Sequence, residues 1–239
     1  MEGTEAIGRF GVWYVVFLLT LTLHEASHSL AALLGGDDTA YRGGQVTLNP
    51  WPHIRREPFG AIVVPLLTFF SSGWMMGWAS SPFDPSWGQR HPRRLAAMSA
   101  AGPAANLILA SLVFATLKLL LAFGLFVPPE SAGFSRMVAP PPGTPAGSLA
   151  FAAAFCLSVA LNLNVLLFLF NLIPLPPLDG GGIVRGLFPD SVGPLLATVS
   201  RNPMASIVGL IVAWRLIDLV YPAAFAILLT FLHPAVSYR

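Results

Sequence analysis

Apolar runs long enough to cross a bilayer alternate along this chain with short connections rich in glycine and proline. Roughly 20 consecutive apolar residues span the hydrocarbon core as a helix, and five runs approach or exceed that length. Residues 10–34 predict one long helix. Residues 59–79 form a second run, interrupted by Pro65, Ser71, Ser72, Gly73 and Gly77. Residues 95–127 and 148–173 predict two more helices. Residues 203–232 are too long for one simple span and are interrupted by Pro222, so the tail reads either as one kinked helix or as a span followed by a returning amphipathic piece. Between the first two runs lies "GGDDTAYRGGQVTLNPWPHIRREPFG", in which 46–48 ("VTL") predicts a short strand. The segment 127–148, "VPPESAGFSRMVAPPPGTPAGS", reads as an irregular loop.

Composition agrees with a membrane protein. The chain of 239 residues is 55% hydrophobic and only 10% charged, against about a quarter charged in a soluble domain, and its mean hydropathy is +0.70. The net charge is +2, with the basic residues scattered over loops. No basic run suggests nucleic acid. The single cysteine, Cys156, sits in an apolar run and has no partner for an intrachain disulfide; it reads as a small apolar residue. The start, "MEGTEAIGRF", lacks the positive residues and cleavage site of a secretory signal, so the first run is expected to be an uncleaved membrane helix. No internal repeat or soluble module interrupts the pattern, and residues 1–239 are expected to form one membrane-embedded domain, with a core at about 10–190 and C-terminal helices at 203–235.

Polar residues inside the apolar runs carry the chemistry. His24-Glu25-Ala26-Ser27-His28 places two imidazoles four residues apart, on one face of a helix. Both can meet one metal ion, with the intervening glutamate able to reach a water on it. Two hydrogen-bonded core histidines are the alternative. Ionisable groups at membrane depth are costly and usually functional, and three within five residues call for an organising cation. A catalytic zinc usually takes three protein ligands and leaves one position open. Asp218 lies three residues after Arg215, which predicts a local ion pair. Asp179, in "NLIPLPPLDGGG", follows three prolines that break a helix and precedes glycines that let backbone approach closely. It reads as the third ligand. In "AAGPAAN", residues 100–106, the small residues permit close helix packing, Pro103 suits a first helical turn, and Asn106 is placed to hydrogen-bond near the site or simply to bridge helices.

HEASH, AAGPAAN and NLIPLPPLDGG, in this order, resemble the site-2 protease family of intramembrane zinc metalloproteases. The stretch 36–60 is similar to the compact branch without PDZ or CBS domains. The resemblance implies an all-α polytopic membrane protein: a helical core of about five to six transmembrane helices, with a re-entrant segment and short β-strands near the active site. It implies one Zn2+ on His24, His28 and Asp179, and Glu25 as general base and later proton donor. Asn171, eight residues before the aspartate, matches a family position that positions substrate or stabilises the oxyanion. Asn106 and His53 match further motif positions. The linker departs from the branch in reading "HIRREPFG", without an acidic residue after His53-Ile54.

The implied activity is hydrolysis of peptide bonds within or near transmembrane segments of membrane proteins, in regulated intramembrane proteolysis; the alternative is a zinc-loaded homologue that binds membrane proteins without cutting them. A metal transporter would need a second set of intramembrane ligands, and the sequence offers none. A substrate helix must unwind to be cut, and residues 46–48 or 77–83 are candidate strand edges to hold it.

For the motifs to meet at one depth, the run 59–79 must enter the membrane and return, turning near residues 71–77. Arg42, Arg55, Arg56, Arg90, Arg93, Arg94, Arg185 and Arg201 then share one side and Arg9 and Arg136 the other. Arginine-rich loops are cytoplasmic, which predicts a multi-pass protein of the cell membrane whose active site lies within the bilayer, nearer the cytoplasmic face. A cysteine introduced at position 86 is expected to react with impermeant reagents from the cytoplasmic side; labelling only from outside overturns this topology.

Overall fold

A computed structural model describes residues 3–238. In chain order its helices are α1 (Gly3–Leu34), α2 (Thr39–Arg42), α3 (Pro50–Arg56), a π-helical turn (Phe59–Val63) running into α4 (Val64–Ser72), α5 (Pro85–Arg90), α6 (Pro92–Ala122), α7 (Leu149–Asn171), α8 (Asp179–Leu187), α9 (Gly193–Ser200) and α10 (Pro203–Leu232). Four of them, over Ala6–Leu34, Pro92–Ala122, Leu149–Asn171 and Pro203–Leu232, are long and apolar enough to cross a membrane. The fold is that of an all-α polytopic membrane protein.

Contacts at the two ends of the bundle set its direction. Trp13, early in α1, stacks on Phe134 in the α6–α7 loop with ring centroids 5.5 Å apart. At the other end of α1, the Gly35 carbonyl accepts from Trp87 Nε1 and from an Arg94 guanidinium nitrogen, both at 3.0 Å. After α10, His233 Nε2 returns to the Met137 carbonyl in the same α6–α7 loop, at 2.7 Å. Thus α1 and α7 run one way, and α6 and α10 the other.

The run beginning at Phe59 doubles back. Its helical part, Phe59–Ser72, is about 21 Å long at 1.5 Å per residue, short of the roughly 30 Å hydrocarbon core. Gly73, left-handed with φ 76°, ends it. The chain then returns in extended form: Met76 N donates to Thr68 Oγ1 at 3.0 Å, and Trp78 N to the Gly60 carbonyl at 3.2 Å. Residue 78 therefore lies beside residue 60, and the run makes no net advance. The turn falls within the expected 71–77.

Several expectations change. Among the described residues four helices rather than five or six reach spanning length, the tail being a single helix, α10, with Pro222 inside it. Helix α6 starts at Pro92, so Pro103 lies inside the helix rather than in its first turn. No β-strand occurs among the described residues; only two isolated bridges, Val127–Ala139 and Gly133–Arg136, are present. Residues 46–48 form a bend. There the Thr47 hydroxyl accepts from Asn49 N, and its carbonyl pairs with His53 Nε2, so local bonds consume what a sheet partner would use. Arg215 and Asp218 pair at 3.8 Å on an exposed face of α10, as their spacing predicts.

Helices in a bilayer associate through close packing rather than water exclusion. One core knits α1 to α7 and the doubled-back run, through Trp13, Phe17, Met75 and Val159. A second joins α6, α7, α10 and the folded α6–α7 loop, through Leu117, Met137, Leu161 and Leu232. A Cβ at Gly60 would lie 2.8 Å from the Trp78 ring. Gly60→Val is expected to destabilise the fold by about 1–3 kcal/mol, the usual cost of overpacking. Gly11→Ala, where a Cβ meets nothing within 4 Å, is the neutral control; melting temperatures in detergent micelles distinguish the two.

Candidate metal centre

His24, Glu25 and His28 occupy one turn of α1 and are all buried. Their four-residue spacing brings the two Nε2 atoms to 3.0 Å of each other. Asp179 arrives from 151 residues beyond His28. The prolines at 174, 176 and 177 end the path of α7, and the chain re-enters helix at Asp179, the first residue of α8. A carboxylate in the first turn of a helix complements the free N–H groups there. Asp179 Oδ2 lies 3.1 Å from His24 Nε2, and Oδ1 3.3 Å from His28 Nε2. Ligand atoms of the three residues lie within 4.8 Å of one another.

The far edges of both rings are occupied. His28 Nδ1 is 2.8 Å from the Met98 carbonyl on α6, which can only accept, so Nδ1 carries the proton. His24 Nδ1 lies 2.6 Å from Asn106 Oδ1. Each ring therefore turns its Nε2 edge toward the carboxylate, whose Oδ2 is buried without a hydrogen-bond partner. Two ring nitrogens and a carboxylate converge on one point. A divalent cation fits this cage, and a nitrogen–oxygen donor set of this kind suits zinc.

At Gly102, α6 passes directly against the cage. A Cβ there would lie 2.6 Å from His24 Nε2 and from His28 Cε1. One residue further on, Pro103 lacks the N–H that would bond Ser99 and loosens the helix beside the Met98 carbonyl. A cleft of about 330 Å3 opens onto the centre. It is lined by Glu25, His28 and Asp179, by Ala79, Ser80, Ser81 and Phe83 of the extended return, and by Met98 and Ser99 of α6.

The other sequence candidates fall differently. Asn106 is fully buried behind His24, on the ring edge away from Asp179. Asn171 donates to the Leu167 carbonyl of its own helix at 3.1 Å and does not line the cleft. His53 is buried and bonded to Thr47 in the loop before α3. Asn164 and Thr20, which continue the hydrogen-bond network beyond Asn106, escaped sequence reasoning. The available signal was an amide in the middle of an apolar helix, "LNLNVLL". Outside the bundle, Ser86 donates twice to Asp84, whose carboxyl is held below the usual range by these bonds; they cap α5, which carries Trp87 to Gly35.

A polytopic helical bundle with a buried His–His–carboxylate cage beside a glutamate defines a membrane-embedded metallopeptidase. The chain belongs to peptidase family M50, the site-2 protease family, whose sequence signature matches residues 12–214. Among curated proteins it is 34% identical over 180 residues to the "Putative zinc metalloprotease YwhC" of Bacillus subtilis, covering 74% of this chain and 69% of that one. It is 29% identical over 182 residues to the "Putative zinc metalloprotease Rip2" of Mycolicibacterium smegmatis, covering 75% of this chain and 58% of that one. No solved structure matches the chain.

Gly102→Ala is expected to lower affinity for a divalent metal by at least about tenfold, the scale of lesions next to a metal ligand. Competition with a chromophoric chelator on the purified protein reads this directly.

Proposed function

We propose that this chain is an intramembrane zinc protease that cuts peptide bonds within or near the transmembrane segments of other membrane proteins, in regulated intramembrane proteolysis. Residues 1–239 act as one catalytic domain in this reading. His24, His28 and Asp179 hold Zn2+. The observation that carries the reading is Glu25: a buried carboxylate between the two histidines, on the wall of the cleft that reaches the cage. A protein that only bound its targets would have no use for a base at this place.

When bound, zinc acts as a Lewis acid and lowers the pKa of water to about 7. The rest falls to this chain. Glu25 takes a proton from the attacking water and later delivers it to the leaving amine. His24 and His28, each donating its Nδ1 proton away from the cleft, keep their bare nitrogens turned inward. Asn171, at the end of α7 where the proline turn begins, is the residue we assign to the developing oxyanion, on the strength of its motif position alone. The return segment holds the unwound substrate. Residues 75–84 are free of helix, and four of them line the cleft. An extended peptide can pair with such a backbone as an added strand.

Two features support the orientation. The arginines at 42, 55, 56, 90, 93, 94, 185 and 201 fall in the segments joined to the end of α1 and the starts of α6 and α10. Loops with this bias face the cytoplasm. The HEASH turn lies in the second half of α1, toward that end, so the cleft opens nearer the cytoplasmic face of the cell membrane.

Glu25→Gln is expected to keep its zinc while cleavage of a single-pass transmembrane peptide falls by about 10²–10⁴-fold. A Glu25→Gln protein that still cuts overturns the mechanism. A wild-type protein that captures the peptide without cutting it, with or without a chelator, points instead to the binding homologue.

A further inference from the structure

Behind His24 a chain of buried amides crosses three helices, and its geometry assigns a proton. The Ala160 carbonyl can only accept, so the Asn164 side-chain atom 2.8 Å from it is the amide nitrogen. The same nitrogen also donates to Thr20 Oγ1 at 3.1 Å. Asn164 Oδ1 is thereby turned toward Asn106, and the facing atom of Asn106, at 2.9 Å, is its nitrogen. Asn106 Oδ1 is left for His24 Nδ1, at 2.6 Å. A carbonyl oxygen there requires a protonated Nδ1. A neutral imidazole carries one N–H, so Nε2 is left bare on the edge facing Asp179. Amide orientations are ordinarily a choice between two near-identical fits; here one main-chain carbonyl dictates both.

We propose that Asn164 is a positioning residue for the metal centre, acting through Asn106 to fix the tautomer in which His24 can bind zinc. The proposal rests on the reading of His24 as a metal ligand. Asn106 and Asn164 are both completely buried, so no water takes over a lost partner. Flipping Asn106 alone would set its oxygen against Asn164 Oδ1 and its nitrogen against His24 Nδ1. With Asn164 in place, that flip leaves two buried acceptors face to face and is strongly disfavoured. Without Asn164 the flip costs little. His24 then accepts at Nδ1, moves its proton to Nε2, and loses the lone pair that faces the cage. His28 needs no such chain, because the Met98 carbonyl fixes its tautomer in one step.

The test is a double-mutant cycle on zinc affinity, measured by chelator competition on the purified full chain in detergent. Asn164→Ala is expected to weaken zinc binding about 10- to 100-fold, as lesions behind a metal-binding histidine do. In an Asn106→Asp background the group facing His24 is an acceptor in either orientation. There, adding Asn164→Ala is expected to change affinity by less than about threefold, the reverse of the near-additivity shown by independent sites. Equal losses in both backgrounds would mean that Asn164 only fills space, and would overturn the proposal. A readout that needs no variant at this position is the nitrogen NMR spectrum of the zinc-free protein, assigned with His24→Ala. His24 protonated on Nδ1 is expected; protonation on Nε2 overturns the proposal even if Asn164→Ala fails to fold. Wild-type zinc affinity in His24→Ala is a separate result: it removes His24 as a ligand and takes the metal-site reading with it.

Discussion

Two imidazole nitrogens 3.0 Å apart, with carboxylate oxygens 3.1 and 3.3 Å away, repel one another unless a cation or a proton lies between them. Water would screen that repulsion in a soluble protein. At membrane depth the surroundings are poorly polarisable, and like groups feel one another at nearly full strength. The cage thus calls for positive charge at its centre, which a divalent ion supplies. Much of the surrounding structure serves to hold it in that state. Met98 and Asn106 occupy the outer ring nitrogens, α6 comes close enough to bring them there because residue 102 has no side chain, and the proline turn delivers Asp179 from the end of α7.

The doubled-back run complements this centre. A helix would have filled the same space with satisfied backbone. The sequence instead spends its glycines and serines on a short helix, a left-handed turn and an extended return. Irregular backbone is tolerated at membrane depth only where protein encloses it or a cavity runs beside it. Both conditions hold: Trp78 is tied to Gly60, Ser80 accepts from the Gln45 side chain, and residues 79–83 border the cleft. The candidate ligands sit on helices, two on the long α1 and one at the start of the short α8, while the wall of the cleft at residues 79–83 is free of helix.

Legibility in the sequence followed from how local each signal was. HEASH announced its shared face because a helix repeats every 3.6 residues, and the membrane cost of its charges made structural packing a poor explanation. Asp179 was legible because prolines and glycines bracket it. Helix count was harder. Hydropathy measures how apolar a segment is and carries no information on whether the chain comes out where it went in. Only the convergence of distant motifs, together with arginine placement, revealed the return at 59–79. The strand at 46–48 failed for a different reason. Its side chains suited a sheet, but Asn49 and His53 drew its polar groups into a turn. Pro103 looked like a helix start because proline is favoured there; Pro92 already filled that role. Asn164 stayed hidden because an amide in a membrane helix reads equally well as interhelical glue, and only three-dimensional placement connects it to His24.

Asp179 lies 151 positions after His28, and the carboxylate follows three of the four long helices. A ribosome exposes the HEASH helix early and the aspartate late. Throughout most of its own synthesis and insertion the chain carries the two histidines of the cage without the carboxylate that faces them. The cage can therefore close only after three of the four long helices have been made, so its assembly is a late event that reports on the folding of almost the whole bundle.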